Sequence, residues 1–472
     1  MIFRQILHED LGCASYFIGD EHAGVAAVVD PRLEIERYLQ LAHYLGVRIE
    51  HVFETHNHAD HVSGHGRLAA ATGATIHVHR LVAPAFDHEP FGHGERFTLG
   101  ALRIEALHTP GHRPEHTCFL LTDTHRGEEP WVVLTGDSLF VGDVARPDLA
   151  VERHEGAREI FHSLRERLLT LPDHVEVWPG HLGGSMCGGP GMDMKVSSTI
   201  GFERRHNAML ELTDEGQFVE ASVGKLGAQP PNFKAIVELN RGPLAGEARS
   251  LPRLSAERTV TLIQGDALVV DIRDDAAFAA GHLPGSLWIP LDHSGFGTRL
   301  AWLAAEGAPL IFVGAQDADA ERAGALAAAV GLAEPAQRGG VLSGGVSAWE
   351  SAGGTLAKLT RIRVSQLDER LHGSQPVQVL DVRERDEFEA GHIPGSAWTV
   401  WHDLRGLPEG LDPEREVAVV CTSSVRAGVA AALLQRHGAA HVSQVVEGGV
   451  PRWAALGGEL SVGPLALAGS GA

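Results

Sequence analysis

The second half of this chain carries the same pattern twice. Asp271 and Arg273, at the end of an apolar run, recur as Asp381 and Arg383, 110 positions on. Phe278 with Gly281-His282-Leu283-Pro284-Gly285-Ser286 recurs at the same offset as Phe388 with Gly391-His392-Ile393-Pro394-Gly395-Ser396. Near each end, Gly344-Gly345-Val346 with Trp349 returns as Gly448-Gly449-Val450 with Trp453. Solenoid repeats run to about 20–50 residues, so a period this long means two copies of a domain. Within each copy, short Val/Ile/Leu runs alternate with Ala-rich stretches such as 323–330 and 427–435. That rhythm predicts a small α/β domain with a mainly parallel sheet. At 472 residues the chain is too long for a single core, which leaves the first half to fold separately.

In the first half, Thr55-His56-Asn57-His58-Ala59-Asp60-His61 follows a strand-like run at 49–53. Neutral imidazoles and carboxylates are the usual ligands of Zn or Fe, and two His with one carboxylate around open positions suit oxygen-activating Fe(II). Three further apolar runs, at 102–107, 131–134 and 175–178, enter Thr109-Pro110-Gly111-His112, Thr135-Gly136-Asp137 and Pro179-Gly180-His181. Each time a Gly permits a tight turn and one His or Asp is presented at its tip. One such exit is an ordinary turn. Four of them between residues 55 and 181 predict strand ends converging on one cleft.

The two copies of the repeat differ at one loop. In the second, the run 417–420 ends at Cys421, and Thr422-Ser423-Ser424-Val425-Arg426 opens the Ala-rich helix. A sulfur placed there faces unpaired backbone N–H groups, the positive end of the helix dipole and a fixed cation. The alternative is a strand-end Cys serving as a small hydrophobe. In the first copy the run 310–313 enters an acidic stretch, 314–322, which has no Cys and is expected to form a loop about three residues longer.

The ordered series of His and Asp motifs resembles the metallo-β-lactamase superfamily, over about residues 1–240. Within it, Gly136-Asp137-Ser138-Leu139-Phe140-Val141-Gly142-Asp143-Val144-Ala145-Arg146-Pro147-Asp148-Leu149 looks like the persulfide dioxygenase branch. So do Ser185-Met186-Cys187-Gly188-Gly189 and Ser197-Ser198-Thr199-Ile200-Gly201. The resemblance implies an α/β fold with an N-terminal αββα sandwich. It implies one Fe(II) per chain held by His56, His112 and Asp137, with His58, Asp60, His61 and His181 around it. The substrates would be a low-molecular-weight thiol persulfide and O2, giving thiol and sulfite. All seven positions also fit the two-metal site of glyoxalase II-type thioester hydrolases, with Zn as a possible metal, so the ligand inventory leaves one metal or two open.

The repeat is similar to the rhodanese sulfurtransferases, strongly so in the second copy. That resemblance makes Cys421 the nucleophile that carries a persulfide sulfur and residues 422–426 its anion cradle: Thr422, Ser423 and Ser424 as substrate-binding candidates, Arg426 as a catalytic cation. Sulfite and thiosulfate would be acceptor and donor. The expected domains are 1–245, a dioxygenase-like sandwich; 255–358, a degenerate rhodanese copy; and 359–472, an intact one. A third reading is a non-catalytic sulfur carrier or sensor with a structural metal, although structural Zn sites are typically closed and Cys-rich.

Among the other candidates, Arg146 could meet a substrate carboxylate, or be a surface Arg. Cys187, in a Gly-rich loop after His181, is expected near the cleft mouth, where it could relay sulfur or gate the substrate. Cys13 and Cys118 read as buried structural thiols. A net charge of −22 argues against nucleic acid or an anionic membrane as partner. No run of about 18 apolar residues predicts a membrane span, and residues 1–10 lack the features of a signal peptide. Four Cys without paired spacing fit a reducing cytoplasm. A homo-oligomer is expected.

Overall fold

Every residue of the strand Cys13–Asp20 is buried, as happens when a sheet is covered on both faces. It belongs to a six-stranded sheet in the order β1 (Ile2–His8), β2 (Cys13–Asp20), β3 (Val25–Val29), β4 (Arg48–Phe53), β5 (Thr75–His79) and β6 (Glu89–Phe91). A second six-stranded sheet holds β7 (Arg96–Leu99), β8 (Leu102–His108), β9 (Thr117–Asp123), β10 (Val132–Gly136), β11 (Glu176–Pro179) and β12 (Ser198–Thr199), also neighbouring in chain order. In this computed structural model residues 1–464 are described, except 184, 186, 190, 225, 247, 248, 305, 306 and 375. Met186 of the Gly-rich motif and residues 465–472 of the expected last domain therefore lie outside the described residues. The chain divides into two units, broadly its first and second halves.

Strand periodicity assigns the layers. Along β2, Tyr16 and Ile18 point inward to pack with Phe53, Ile104, Phe119 and Leu134 between the two sheets. Phe17 points the other way, onto Tyr38 and Leu68 of the helices Glu36–Leu45 and His65–Thr72. On the second sheet, Cys118, Val133 and Val177 face outward onto Ile160 and Phe161 of the helix Arg153–Ser163. The result is the expected αββα sandwich, its inner faces filled by apolar alternation on both sheets. The strands expected at 49–53, 102–107, 131–134 and 175–178 are β4, β8, β10 and β11, shifted by a residue or so at their ends. Thr117 donates its N–H to the Thr55 carbonyl at 2.8 Å, which ties the two sheets together where the ligand-bearing loops leave them. No helix among the described residues is long and apolar enough to cross a membrane.

The second unit holds two five-stranded sheets of identical topology: β13 (Arg253–Leu254), β14 (Leu268–Asp271), β15 (Leu287–Trp288), β16 (Leu310–Val313) and β17 (Gly340–Leu342), then β18 (Thr360–Arg363), β19 (Gln378–Asp381), β20 (Ala397–Trp398), β21 (Val417–Val420) and β22 (Val442–Val446). Each is ordered first-fifth-fourth-second-third, and every pairing is parallel. The repeated residues do the same work in both. Arg273 and Arg383 each grip the Asp two positions before them and the carbonyl of Gly281 or Gly391. His282 and His392 each stack at 3.8 Å on a Phe. The copies also touch. A Cβ built at Gly428, on the helix Val425–Arg436, would come within 2.2 Å of the Trp288 ring, so only glycine lets that helix lie flush.

One expectation is corrected here. The acidic stretch of the first copy is not a longer loop: the helix Asp317–Ala329 starts directly after Gly314, Ala315 and Gln316, whereas residues 421–424 precede the second helix. Asp317 and Asp319 sit in the first helical turn, where the helix dipole favours carboxylates, and Asp319 accepts the Gln316 N–H at 3.2 Å. Gly345 abuts the Gly314 carbonyl as Gly449 abuts that of Cys421, so a glycine stands where the second copy has its sulfur.

Candidate functional site

The loops leaving β4, β8, β10 and β11 bring all seven expected His and Asp side chains together. Thr55 Oγ1 donates to Asp30 Oδ2 at 2.8 Å, so towards His56 Nδ1, 2.9 Å away, it can only accept. The proton therefore sits on Nδ1, and Nε2 is left as a lone pair. His112 is set in the same way: its Nδ1 donates to the Arg146 carbonyl at 3.0 Å. Burial lowers the pKa of both rings, keeping them neutral. His56 Nε2, His112 Nε2 and Asp137 Oδ2 are all buried without a hydrogen-bond partner among the described residues. Ligand atoms of these three residues lie within 4.8 Å of one another, with Asp137 Oδ2 3.9 Å from His56 Nε2 and 3.5 Å from His112 Nε2. Buried polar atoms are rarely left unpaired. Three converging on one point, with their tautomers already fixed, fit a metal ion.

A second group adjoins the first through Asp137. His181 Nε2 stands 3.3 Å from Asp137 Oδ2 and 3.4 Å from Asp60 Oδ2. His61 Nδ1 lies 3.2 Å from Asp60 Oδ1. His58 turns its Nε2 to Glu54 and Asp30 at 3.1 and 3.2 Å, and its Nδ1 has no hydrogen-bond partner among the described residues. Burial pushes the Asp137 carboxyl up, but His181 and His112 outweigh it and hold it at about 2.

Sequence reasoning missed the supports. Asp30 orients Thr55, and Glu54 accepts from His58, His65 and Ser63. Both carboxylates adjoin strand ends, a position that could have flagged them. His116 Nε2 accepts the Asp137 N–H at 2.9 Å, so its Nδ1 proton goes to Thr109 Oγ1, and burial, with His112, pushes its pKa to about 3. Gly136 makes this possible: its φ is +46°, and a Cβ would stand 2.8 Å from both Thr55 and His116. His116→Ala is expected to leave the Asp137 N–H buried and unpaired, costing about 1–3 kcal/mol as read by denaturant unfolding.

The cysteines are redistributed. Cys187 is buried rather than near a cleft mouth, and its sulfur groups with Asp137 and His181. Cys13 is buried as expected, but it too borders the centre, grouped with Asp60 and His181. Cys118 stays in the core, its pKa pushed up to about 12 by burial. The Arg146 guanidinium binds Asp148 and the Gly227 carbonyl, and it is the backbone of Arg146 that reaches His112.

In the second unit Cys421 directly follows β21 and is fully buried. Ser424, at φ +89°, donates its N–H to the sulfur at 3.1 Å. Arg426 forms a bidentate pair with Glu387, at 2.6 and 2.8 Å, and donates to Thr422 Oγ1 at 2.9 Å. Burial pushes Glu387 up, yet the bonds from Arg426 and Thr422 prevail and hold it at about 2. Ser423 is exposed.

Comparison with known proteins agrees with this geometry. The Metallo-beta-lactamase superfamily matches residues 8–181, and the Rhodanese-like domain matches 255–352 and again 363–456. The mitochondrial persulfide dioxygenase ETHE1 of Bos taurus is 30% identical over 234 residues, 49% of this chain and 84% of that protein. Its Homo sapiens counterpart is 32% identical over 185 residues, 38% of this chain and 68% of that one. A crystal structure of a metallo-beta-lactamase from Staphylococcus aureus subsp. aureus COL aligns with a TM-score of 0.65 at 28% identity, covering 73% of this chain and 99% of that one. This chain therefore belongs to the metallo-β-lactamase superfamily as a relative of the ETHE1 persulfide dioxygenases, with two rhodanese-like domains following in the same polypeptide.

Proposed function

We propose that residues 1–245 oxidise a low-molecular-weight thiol persulfide with O2, that 255–358 is a rhodanese copy without its nucleophile, and that 359–472 transfers sulfur through Cys421. The observation that supports this reading is the convergence of His56 Nε2, His112 Nε2 and Asp137 Oδ2, three buried lone-pair atoms without a hydrogen-bond partner among the described residues. Two imidazoles and one carboxylate with room for further ligands suit Fe(II) rather than a closed structural Zn site, which also counts against a non-catalytic module. Fe(II) held there supplies the redox chemistry with O2 that no side chain possesses. The balance is RSSH + O2 + H2O giving RSH, sulfite and two protons. The Asp30–Thr55 pair and the Arg146 carbonyl hold the two rings in place. His116 holds the backbone of Asp137, and burial of all three side chains keeps bulk water from the reacting sulfur.

At Cys421 the sulfur travels as a cysteine persulfide. Sulfite attacks the outer sulfur, the S–S bond to the cysteine breaks, and thiosulfate leaves with the thiolate restored; the reverse reaction loads the cysteine from thiosulfate. The Ser424 N–H steadies the anionic sulfur, and Arg426, gripped by Glu387, fixes Thr422 and keeps a cation beside it. Since Cys421 is buried, an acceptor reaches it only after a local movement of the surrounding chain.

The test is an oxygen electrode with a panel of thiol persulfides, together with metal counts per chain. One iron per chain, O2 uptake and release of sulfite or thiosulfate are expected. Two metals per chain with thioester hydrolysis and no O2 uptake would replace this reading with a glyoxalase II-like hydrolase, in which Asp60 Oδ2 and His58 Nδ1, also without a hydrogen bond among the described residues, would help to hold the second ion.

A further inference from the structure

Cys13, at the start of β2, pairs with His181; Asp20, at its end, lies seven residues further on, roughly 23 Å away at about 3.3 Å per residue. This far end of the sandwich gathers a second set of ligand-type side chains. Asp20 closes β2, His22 follows it in the turn to β3, and His125 sits in the turn after β9, so the three residues come from both sheets.

The Asp20 side chain is 4% exposed and cannot swing. Its Oδ1 accepts the His22 N–H at 2.9 Å, and its Oδ2 accepts the Ala101 N–H at 2.7 Å. Those bonds, the one from Ala101 foremost, hold its pKa below the usual carboxylate value, so it stands as a fixed anion.

Two surface imidazoles turn towards it. His22 Nδ1 lies 3.7 Å from Oδ1 and His125 Nε2 3.7 Å from Oδ2, with side chains 85% and 58% exposed. At that distance neither contact is a hydrogen bond. One ligand atom of each residue lies within 4.8 Å of the other two. Two donors on a tetrahedral ion with bonds of about 2.1 Å stand about 3.4 Å apart, closer than the three donors lie here, and the two exposed rings can turn to close the difference. The neighbouring cation, Arg126, is taken up by Asp123 and the Trp131 ring.

We propose that Asp20, His22 and His125 form a binding site for a divalent transition-metal ion of the zinc class, clasping the two sheets at the end away from His56. Two imidazoles and a carboxylate match the donor preference of that ion, and water would complete the fourth position. The site is independent of the chemistry assigned to the other end.

The experiment compares the tag-free full-length protein with a His22→Ala/His125→Ala double variant. Both are equilibrated with Zn²⁺ and gel-filtered, and zinc and iron are then counted per chain. Zinc taken up at the other centre is common to both proteins and cancels. The expected result is one zinc equivalent fewer in the double variant, with iron unchanged. Equal zinc counts would overturn the proposal. Since both rings are exposed, the variant is expected to unfold at the same denaturant concentration as the parent without added metal.

Discussion

Asp137→Ala is expected to strip the iron and reduce persulfide-dependent oxygen uptake to background. Asp137 is the one anionic member of the three-residue set, and its Oδ2 stands between His56, His112 and His181. Without it, two neutral imidazoles face the ion. Loss of a residue that merely orients a ligand costs about 10–100-fold in metal affinity, and loss of the ligand itself costs more. His112→Ala is expected to behave alike. Both variants should fold: the hydrogen bond from residue 137 to His116 uses the backbone N–H and survives substitution. Iron per chain, oxygen uptake and circular dichroism on the same samples give the answer. A folded Asp137→Ala protein that kept its iron and its activity would remove the ligand assignment.

Cys421→Ser is expected to do the opposite: sulfur transfer falls to background while oxygen uptake on a small persulfide stays near the parent rate. A hydroxyl cannot form the S–S bond that carries the sulfur, yet it is close in size to the thiol and can accept the Ser424 N–H, so the buried loop keeps its shape. The ligand-bearing loops and Cys421 belong to different units. Thiosulfate formation from sulfite measures one activity and the oxygen electrode the other. A parallel fall in both rates would mean that the oxidation itself depends on Cys421, and the division of labour proposed above would be wrong.

The strands were legible because short Val/Ile/Leu runs bounded by glycine turns have few other ways to fold, and the repeat made one topology account for two sheets. The convergence of His56, His112, Asp137 and His181 was legible for a related reason: each lies within four residues of a strand end, and strand ends at one edge of a sandwich must meet. Cys13 was harder. It opens its strand rather than following one, so nothing local shows that β2 begins beside His181. Cys187 lies in a glycine-rich loop, where sequence does not register depth. His116 has no motif, and its role appears only once Gly136 turns back on it. The acidic stretch of the first repeat was misread because Asp favours loops and first helical turns alike, and only the carbonyl contact of Gly345 shows which residue replaces the cysteine.

A single methyl at position 428 would strike the Trp288 ring, so the face of the first repeat limits what the second can carry. The bulk at position 288 sits against the helix Val425–Arg436, which begins shortly after Cys421. Gly428→Ala is expected to destabilise the protein, and a smaller residue at position 288 to restore part of the loss, as read by denaturant unfolding. Exchange of either repeat for a stand-alone homologue, whose surface was shaped against water, is expected to fail unless both faces are exchanged together.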